Sequence, residues 1–82
     1  MARTIKYTET SLRQVWKLDE SIALRVLDFL DEHVATSQDP RTQGENLAGP
    51  RMGSYWRYRL GDVRIICDIQ DQMLLILLIQ IR

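Results

Sequence analysis

Eighty-two residues leave room for one domain, residues 1–82, and the 45% hydrophobic and 27% charged content is that of a globular rather than a disordered chain. Eleven Lys and Arg against eleven Asp and Glu cancel, which removes the overall basic balance that would announce a nucleic-acid binder. One cysteine and one histidine exclude an internal disulfide and a zinc site built from those ligands alone, and the sequence implies no metal and no cofactor.

The N-terminus has no apolar signal core, and no apolar run approaches the roughly 18 residues of a membrane span. These features point to a small soluble domain of a reducing cytoplasm. Thr4 to Tyr7 alternates polar and apolar residues, which predicts a short first strand. Thr8 suits the N-cap of a first helix, with Glu9 near the positive end of the helix dipole. Leu12, Val15 and Trp16 recur at helical spacing, so they are expected to form its buried stripe. Asp19 suits the cap of a second helix. The buried stripe of that helix runs Ile22, Ala23, Val26, Leu27, Leu30 and Val34, opposite a solvated face of Arg25, Asp28, Asp31 and Glu32. His33 falls at its end, where the dipole favours a cation.

From Ser37 to Gly53 periodicity stops, and Asp39-Pro40-Arg41, Gly44, Gly49-Pro50 and Gly53 punctuate a long loop that Leu47 anchors to the core. Ser54–Leu60 alternates again, with Trp56, Tyr58 and Leu60 on one face and Tyr55, Arg57 and Arg59 on the other. Val63–Gln70 sets Val63, Ile65, Cys67 and Ile69 against Arg64, Ile66, Asp68 and Gln70. Gly61-Asp62 suits a two-residue turn, and the pairing of Leu60 with Val63 that it imposes puts both apolar sets on one face. Met73–Ile81 is apolar on both sides, as expected for a central strand or one covered on both faces; the pattern alone also admits a helix, but its end lacks any cap signal. The fold class that follows is α+β: two helices packed on a mainly antiparallel sheet, in the order β-α-α-β-β-β.

The same register creates the chemistry candidate. The overall balance hides an asymmetry, because all five basic residues after position 50 are arginine. Arg59 falls opposite Arg64, with Arg57 two residues away on the same face. Like charges opposite each other cost a sheet some fraction of ~0.2–1 kcal/mol, so stability alone does not account for them. Three guanidinium groups suit an anion, phosphate above all, because the Arg fork matches its oxygens. The alternative is that the groups splay into water or are neutralised by Asp68 and the helical acids. Tyr55 shares the face and can stack on a base or pack on an Arg stem. Cys67 points inward as an inert thiol.

Taken together, the strand and two helices, the Asp39-Pro40-Arg41 loop with Gly44, Leu47 and Gly49, the run Tyr55-Trp56-Arg57-Tyr58-Arg59 and the run Gly61-Asp62-Val63-Arg64-Ile65 resemble the RelE/ParE toxin superfamily. The resemblance covers essentially the whole chain and is most specific over residues 55–65. It implies a toxin of a toxin–antitoxin system that is held inactive by a cognate antitoxin. Its RelE branch cuts messenger RNA (mRNA) on the ribosome, whereas its ParE branch inhibits DNA gyrase. Carried over, the resemblance assigns basic strand residues to Arg57 and Arg59, the transition-state arginine to Arg64 and a further family arginine to Arg82. The chain departs from the family at its end, where Gln80-Ile81-Arg82 lacks the neighbouring histidine and the following tyrosine. With no His or Glu expected on the Arg face, the sequence supplies charge stabilisation without a proton-transfer pair. An attenuated nuclease and a non-catalytic binding protein therefore both stay open.

Overall fold

The structure is a computed structural model that describes residues 3–47, 55–70 and 72–81. Strand β1 (Thr4–Tyr7) leads into helices α1 (Glu9–Lys17) and α2 (Glu20–Phe29), and α2 runs on into a single π turn at Leu30–Val34. A 3-10 turn at Pro40–Thr42 precedes β2 (Glu45–Asn46), β3 (Tyr55–Leu60), β4 (Val63–Ile69) and β5 (Met73–Ile81). The five strands form one sheet in the order β1-β5-β4-β3-β2, in which only β1 and β5 run parallel. The α+β class and the two helices hold. The sequence pattern did not show β2, a two-residue strand inside the long loop.

The hairpin register is as expected, with Leu60 paired to Val63 and Arg59 to Arg64. Gly61 takes φ 60°, the left-handed value that a tight turn needs at its first central position. The inward residues Tyr58, Val63, Ile65, Cys67 and Ile69 meet Val26, Leu30 and Val34 from the α2 stripe, and each of these is buried. Phe29 stands edge-on to Tyr58 with ring centroids 5.9 Å apart. Trp56 and Leu60 pack against this core from its margin. Burial of each such aliphatic side chain contributes ~1.5–3 kcal/mol.

Strand β5 is interior over its first half, between β1 and β4, which accounts for the start of its apolar run, and it carries an irregularity. Ile66 pairs with Leu78 but Cys67 pairs with Ile76, so Leu77 is an extra residue. The bulge switches the inward set from Leu74 and Ile76 to Ile79.

Beyond Ile76, β5 loses its parallel neighbour, because β1 ends at Tyr7 opposite that residue. Helix α1 covers the backbone left open there. The Ser11 hydroxyl donates to the Ile76 carbonyl at 2.8 Å, the Thr8 hydroxyl donates to the Leu77 carbonyl at 3.2 Å, and the Ile79 N–H donates to Gln14 Oε1 at 2.6 Å. Thr8 also caps α1 by accepting from the Ser11 N–H at 3.1 Å.

This arrangement overturns the expected α1 face. The stripe turned inward is Thr8, Ser11 and Gln14 with Val15 and Leu18, while Leu12 is 46% and Trp16 80% exposed. A strand edge needs hydrogen-bonding groups, and these outrank an apolar stripe. At α2, Asp19 occupies the cap position, but its carboxylate accepts from the Ser21 hydroxyl at 2.8 Å rather than from a backbone amide.

Two stability tests follow. Ser11→Ala removes one of the two donors to the buried Ile76 carbonyl, the Thr8 N–H remaining at 3.1 Å, and should cost ~0.5–1.5 kcal/mol in chemical denaturation, whereas Trp16→Ala should stay within about 0.5 kcal/mol of the parent. Gly44 lies at φ 76°, and a β-carbon there would come 2.4 Å from the Arg57 carbonyl oxygen. Gly44→Ala should therefore cost at least ~1 kcal/mol and detach β2, read as loss of hydrogen-exchange protection at the Leu47 amide, which donates to the Tyr55 carbonyl.

Candidate functional site

Strand alternation sends one set of side chains to the sheet face opposite the helices. On β3 these are Tyr55, Arg57 and Arg59; on β4, Arg64, Ile66 and Asp68; and on β5, Leu75, Leu78 and Gln80. The three arginines therefore meet as the register requires, with Arg59 directly opposite Arg64. Tyr55 is half-buried on the same face, opposite Asp68. Arg82 lies outside the described residues.

A fourth charged group joins them. Gly44 turns the chain so that Glu45 pairs with Arg57 across the β2–β3 ladder. Its Oε2 lies 3.0 Å from Arg57 Nη2 and its Oε1 lies 3.7 Å from Arg59 Nη2. The expectation that no Glu stands on the Arg face is corrected here. The absence of periodicity in the loop hid Glu45, and the available signal was the glycine immediately before it.

Glu45 is held below the usual carboxylate range, first by the hydrogen bond from Arg57, then by the charge of Arg57 and, more weakly, by Arg59 and Arg64. It is therefore ionised at neutral pH. It also offsets the Arg59–Arg64 repulsion that the hairpin register imposes. Among the described residues, neither Asp68 nor a helical acid pairs with these arginines. Asp68 Oδ2 instead accepts from Gln70 Nε2 at 3.1 Å. Arg57 is the more enclosed of the pair, at 25% side-chain exposure against 56% for Arg59, and its buried Nε has no hydrogen-bond partner.

Arg64 differs from both. It makes no ion pair or side-chain hydrogen bond among the described residues. It lines a concavity of about 420 Å³ together with Gln14, Ile79, Gln80 and Ile81. The face thus sets three cations against the Glu45 carboxylate, with Asp68 engaged by Gln70 and one arginine uncommitted, and this arrangement can hold a phosphodiester by forked contacts.

The other candidate groups lie elsewhere. Cys67 is buried, and its thiol is pushed up to about 12 by desolvation and then by Asp68, which leaves it unreactive. The Tyr58 hydroxyl donates to the Pro40 carbonyl at 2.6 Å, and burial raises its pKa. His33 sits beside Phe29, ring centroids 6.0 Å apart, at the end of α2. No group of three His, Cys, Asp or Glu among the described residues could hold a metal ion. No described helix is long and apolar enough to cross a membrane.

The chain is similar along its whole length to solved toxins. It matches the toxin–antitoxin complex RelBE2 from Mycobacterium tuberculosis at 24% identity and a TM-score of 0.86, with all of both chains covered. The isolated E. coli RelE toxin gives 15% identity and a TM-score of 0.78 over 98% of this chain and 84% of that one. The archaeal RelE–RelB complex from Pyrococcus horikoshii gives 23% identity and a TM-score of 0.73 over 100% of this chain and 97% of that one. At these identities the likeness concerns the fold. No curated protein sequence matches the chain. The family profile described as the ParE toxin of type II toxin–antitoxin systems, parDE, matches residues 5–82. The β-α-α-β-β-β-β framework is therefore that of a toxin, and the chain belongs to the ParE toxin family within the RelE/ParE superfamily.

Proposed function

We propose that this toxin is a ribosome-dependent mRNA endoribonuclease of the RelE type, of reduced catalytic power, held in check by a cognate antitoxin. The observation that carries the reading is the uncommitted Arg64 opposite Arg59, on a face that also presents an ionised carboxylate. In such a reaction the RNA 2′-oxygen attacks the adjacent phosphorus as the 5′-oxygen departs, leaving a 2′,3′-cyclic phosphate. Arg64, with Arg57 and Arg59, stabilises the added charge on the phosphoryl oxygens. Glu45 takes the 2′-hydroxyl proton.

Its depressed pKa makes Glu45 a weak base while it is paired. A phosphate that draws Arg57 and Arg59 away restores part of its basicity. No described group on this face is placed to donate a proton to the leaving 5′-oxygen, which takes its proton from water. This agrees with the missing family histidine and with attenuated turnover.

The antitoxin is the expected partner because the open face combines half-buried Ile66, Leu75 and Leu78 with the arginines. An amphipathic segment with acidic residues would cover that combination and associate quickly. The proteins of similar fold include RelE toxins described in complex with RelB antitoxins. A second reading, inhibition of DNA gyrase without RNA cleavage, is favoured by the matching ParE profile. Primer extension on translated message and a gyrase supercoiling assay, run on the same preparation, separate the two. Discrete cuts inside codons support the nuclease, and uncut message with blocked supercoiling supports the inhibitor.

Arg64→Ala should lower cleavage by ~10²–10³-fold while a thermal melt holds or rises slightly, because a like-charge pair is relieved. Arg64→Lys should not restore full activity, because a point charge does not reproduce the forked contact. An Arg64→Ala protein that still arrests growth at the parental dose would remove Arg64 from the site.

Glu45→Gln should cut cleavage by ~10²–10⁴-fold yet hold RNA at least as tightly, since it frees Arg57 and Arg59; fluorescence anisotropy reads the binding. The pairing of Glu45 stabilises the fold at pH values above its unfolded-state pKa. That contribution is lost as pH falls through the lowered folded-state pKa. The acid limb of parental stability should therefore lose this component in Glu45→Gln.

A further inference from the structure

We infer that the concavity between α1 and the ends of β4 and β5 is a ribonucleotide subsite that selects bases with a keto edge, guanine or uracil, over adenine and cytosine. The inference rests on the RNA-directed reading above and deepens it. The space of about 420 Å³ is lined by Gln14, Arg64, Ile79, Gln80 and Ile81, which is room for a nucleotide. It adjoins the arginine face, because Arg64 belongs to both and pairs across the sheet with Arg59 on one side and Gln80 on the other.

The selectivity comes from how Gln14 is held. A glutamine amide can both donate and accept. Here its Oε1 is committed to the Ile79 N–H at 2.6 Å, where α1 covers the open edge of β5. What the side chain still offers is its amide nitrogen, a donor. Arg64 is likewise donor-only, and it makes no ion pair among the described residues, whereas Glu45 engages Arg57 and Arg59. Gln80 is exposed and free to turn either way.

A wall with two donor groups matches base edges that accept. Guanine offers O6 and N7 and uracil offers O4, whereas adenine sets an N6 amino donor beside its N7 and cytosine presents an N4 amino donor. Ile81, half-exposed at the end of β5, supplies an aliphatic surface for the face of the base. Single-stranded RNA is the form whose unstacked bases can enter such a pocket.

The test titrates isotopically labelled protein with four ribotetranucleotides that differ at one central base and follows the side-chain amide signals of Gln14 and Gln80 and the guanidinium of Arg64. The expected result is movement of all three, with guanine and uracil bound about tenfold more tightly than adenine and cytosine. Gln14→Glu keeps an acceptor for the Ile79 N–H and so should melt near the parental temperature, but it loses the donors. The keto preference should then vanish or invert.

Equal affinity for the four bases, movement confined to Arg57 and Arg59, absence of binding, or a Gln14→Glu protein that keeps the preference would each overturn the subsite. Mapping cuts on translated message keeps the two readings apart. Keto-selective binding by a protein that leaves message intact refutes the nuclease and retains the subsite. Cutting with no keto preference at the neighbouring base retains the nuclease and refutes the subsite.

Discussion

The structure depends on how the free edge of β5 is closed. Strand β1 runs beside β5 only as far as Ile76, and the rest of β5 would present bare amides and carbonyls. Three polar side chains of α1 meet them, from Thr8, Ser11 and Gln14. These contacts fix the rotation of α1 and accommodate the Leu77 bulge. They also bring Gln14 to the rim of the concavity that Arg64 lines. An unpaired buried carbonyl costs ~1–3 kcal/mol, a large share of the stability of a domain this small. The interaction that organises the fold is therefore also the one that shapes the wall of the candidate site.

The arginine face shows a related economy of parts. Its register places Arg59 against Arg64, a pairing that a stability-only design would avoid. Glu45 relieves the repulsion by bridging Arg57 and Arg59 from a two-residue strand. In the proposed reaction an incoming phosphate would compete with this internal anion for Arg57 and Arg59, and the displaced carboxylate would recover proton affinity. A fold-level likeness to other toxins does not fix the target.

Legibility in the sequence followed the length scale of the interactions. The β3–β4 hairpin was readable because period-two alternation and a glycine at a tight turn are local signals, and both strands agreed on one register. The α2 stripe was readable because its helix packs on an apolar sheet face in the ordinary way. Trp16 and Leu12 were misread for the complementary reason: α1 packs on a strand edge as well as on a core, and an edge asks for hydrogen bonds. Glu45 was invisible because a two-residue strand has no period, and only Gly44 marked the place where the chain turns back to the sheet.

The amino-acid sequence by itself determined the α+β class, the hairpin register and the convergence of Arg57, Arg59 and Arg64. Each of these follows from alternation and turn chemistry within a few residues. Tertiary structure alone decided which face of α1 is buried, where the bulge switches β5, that Glu45 joins the arginines, and that Arg64 is the one of the three left uncommitted. Those outcomes depend on which backbone groups lack a partner once the strands are ordered, and on which charges the sheet brings within reach across long separations in the chain. No local pattern carries that information, because it is a property of the assembled sheet.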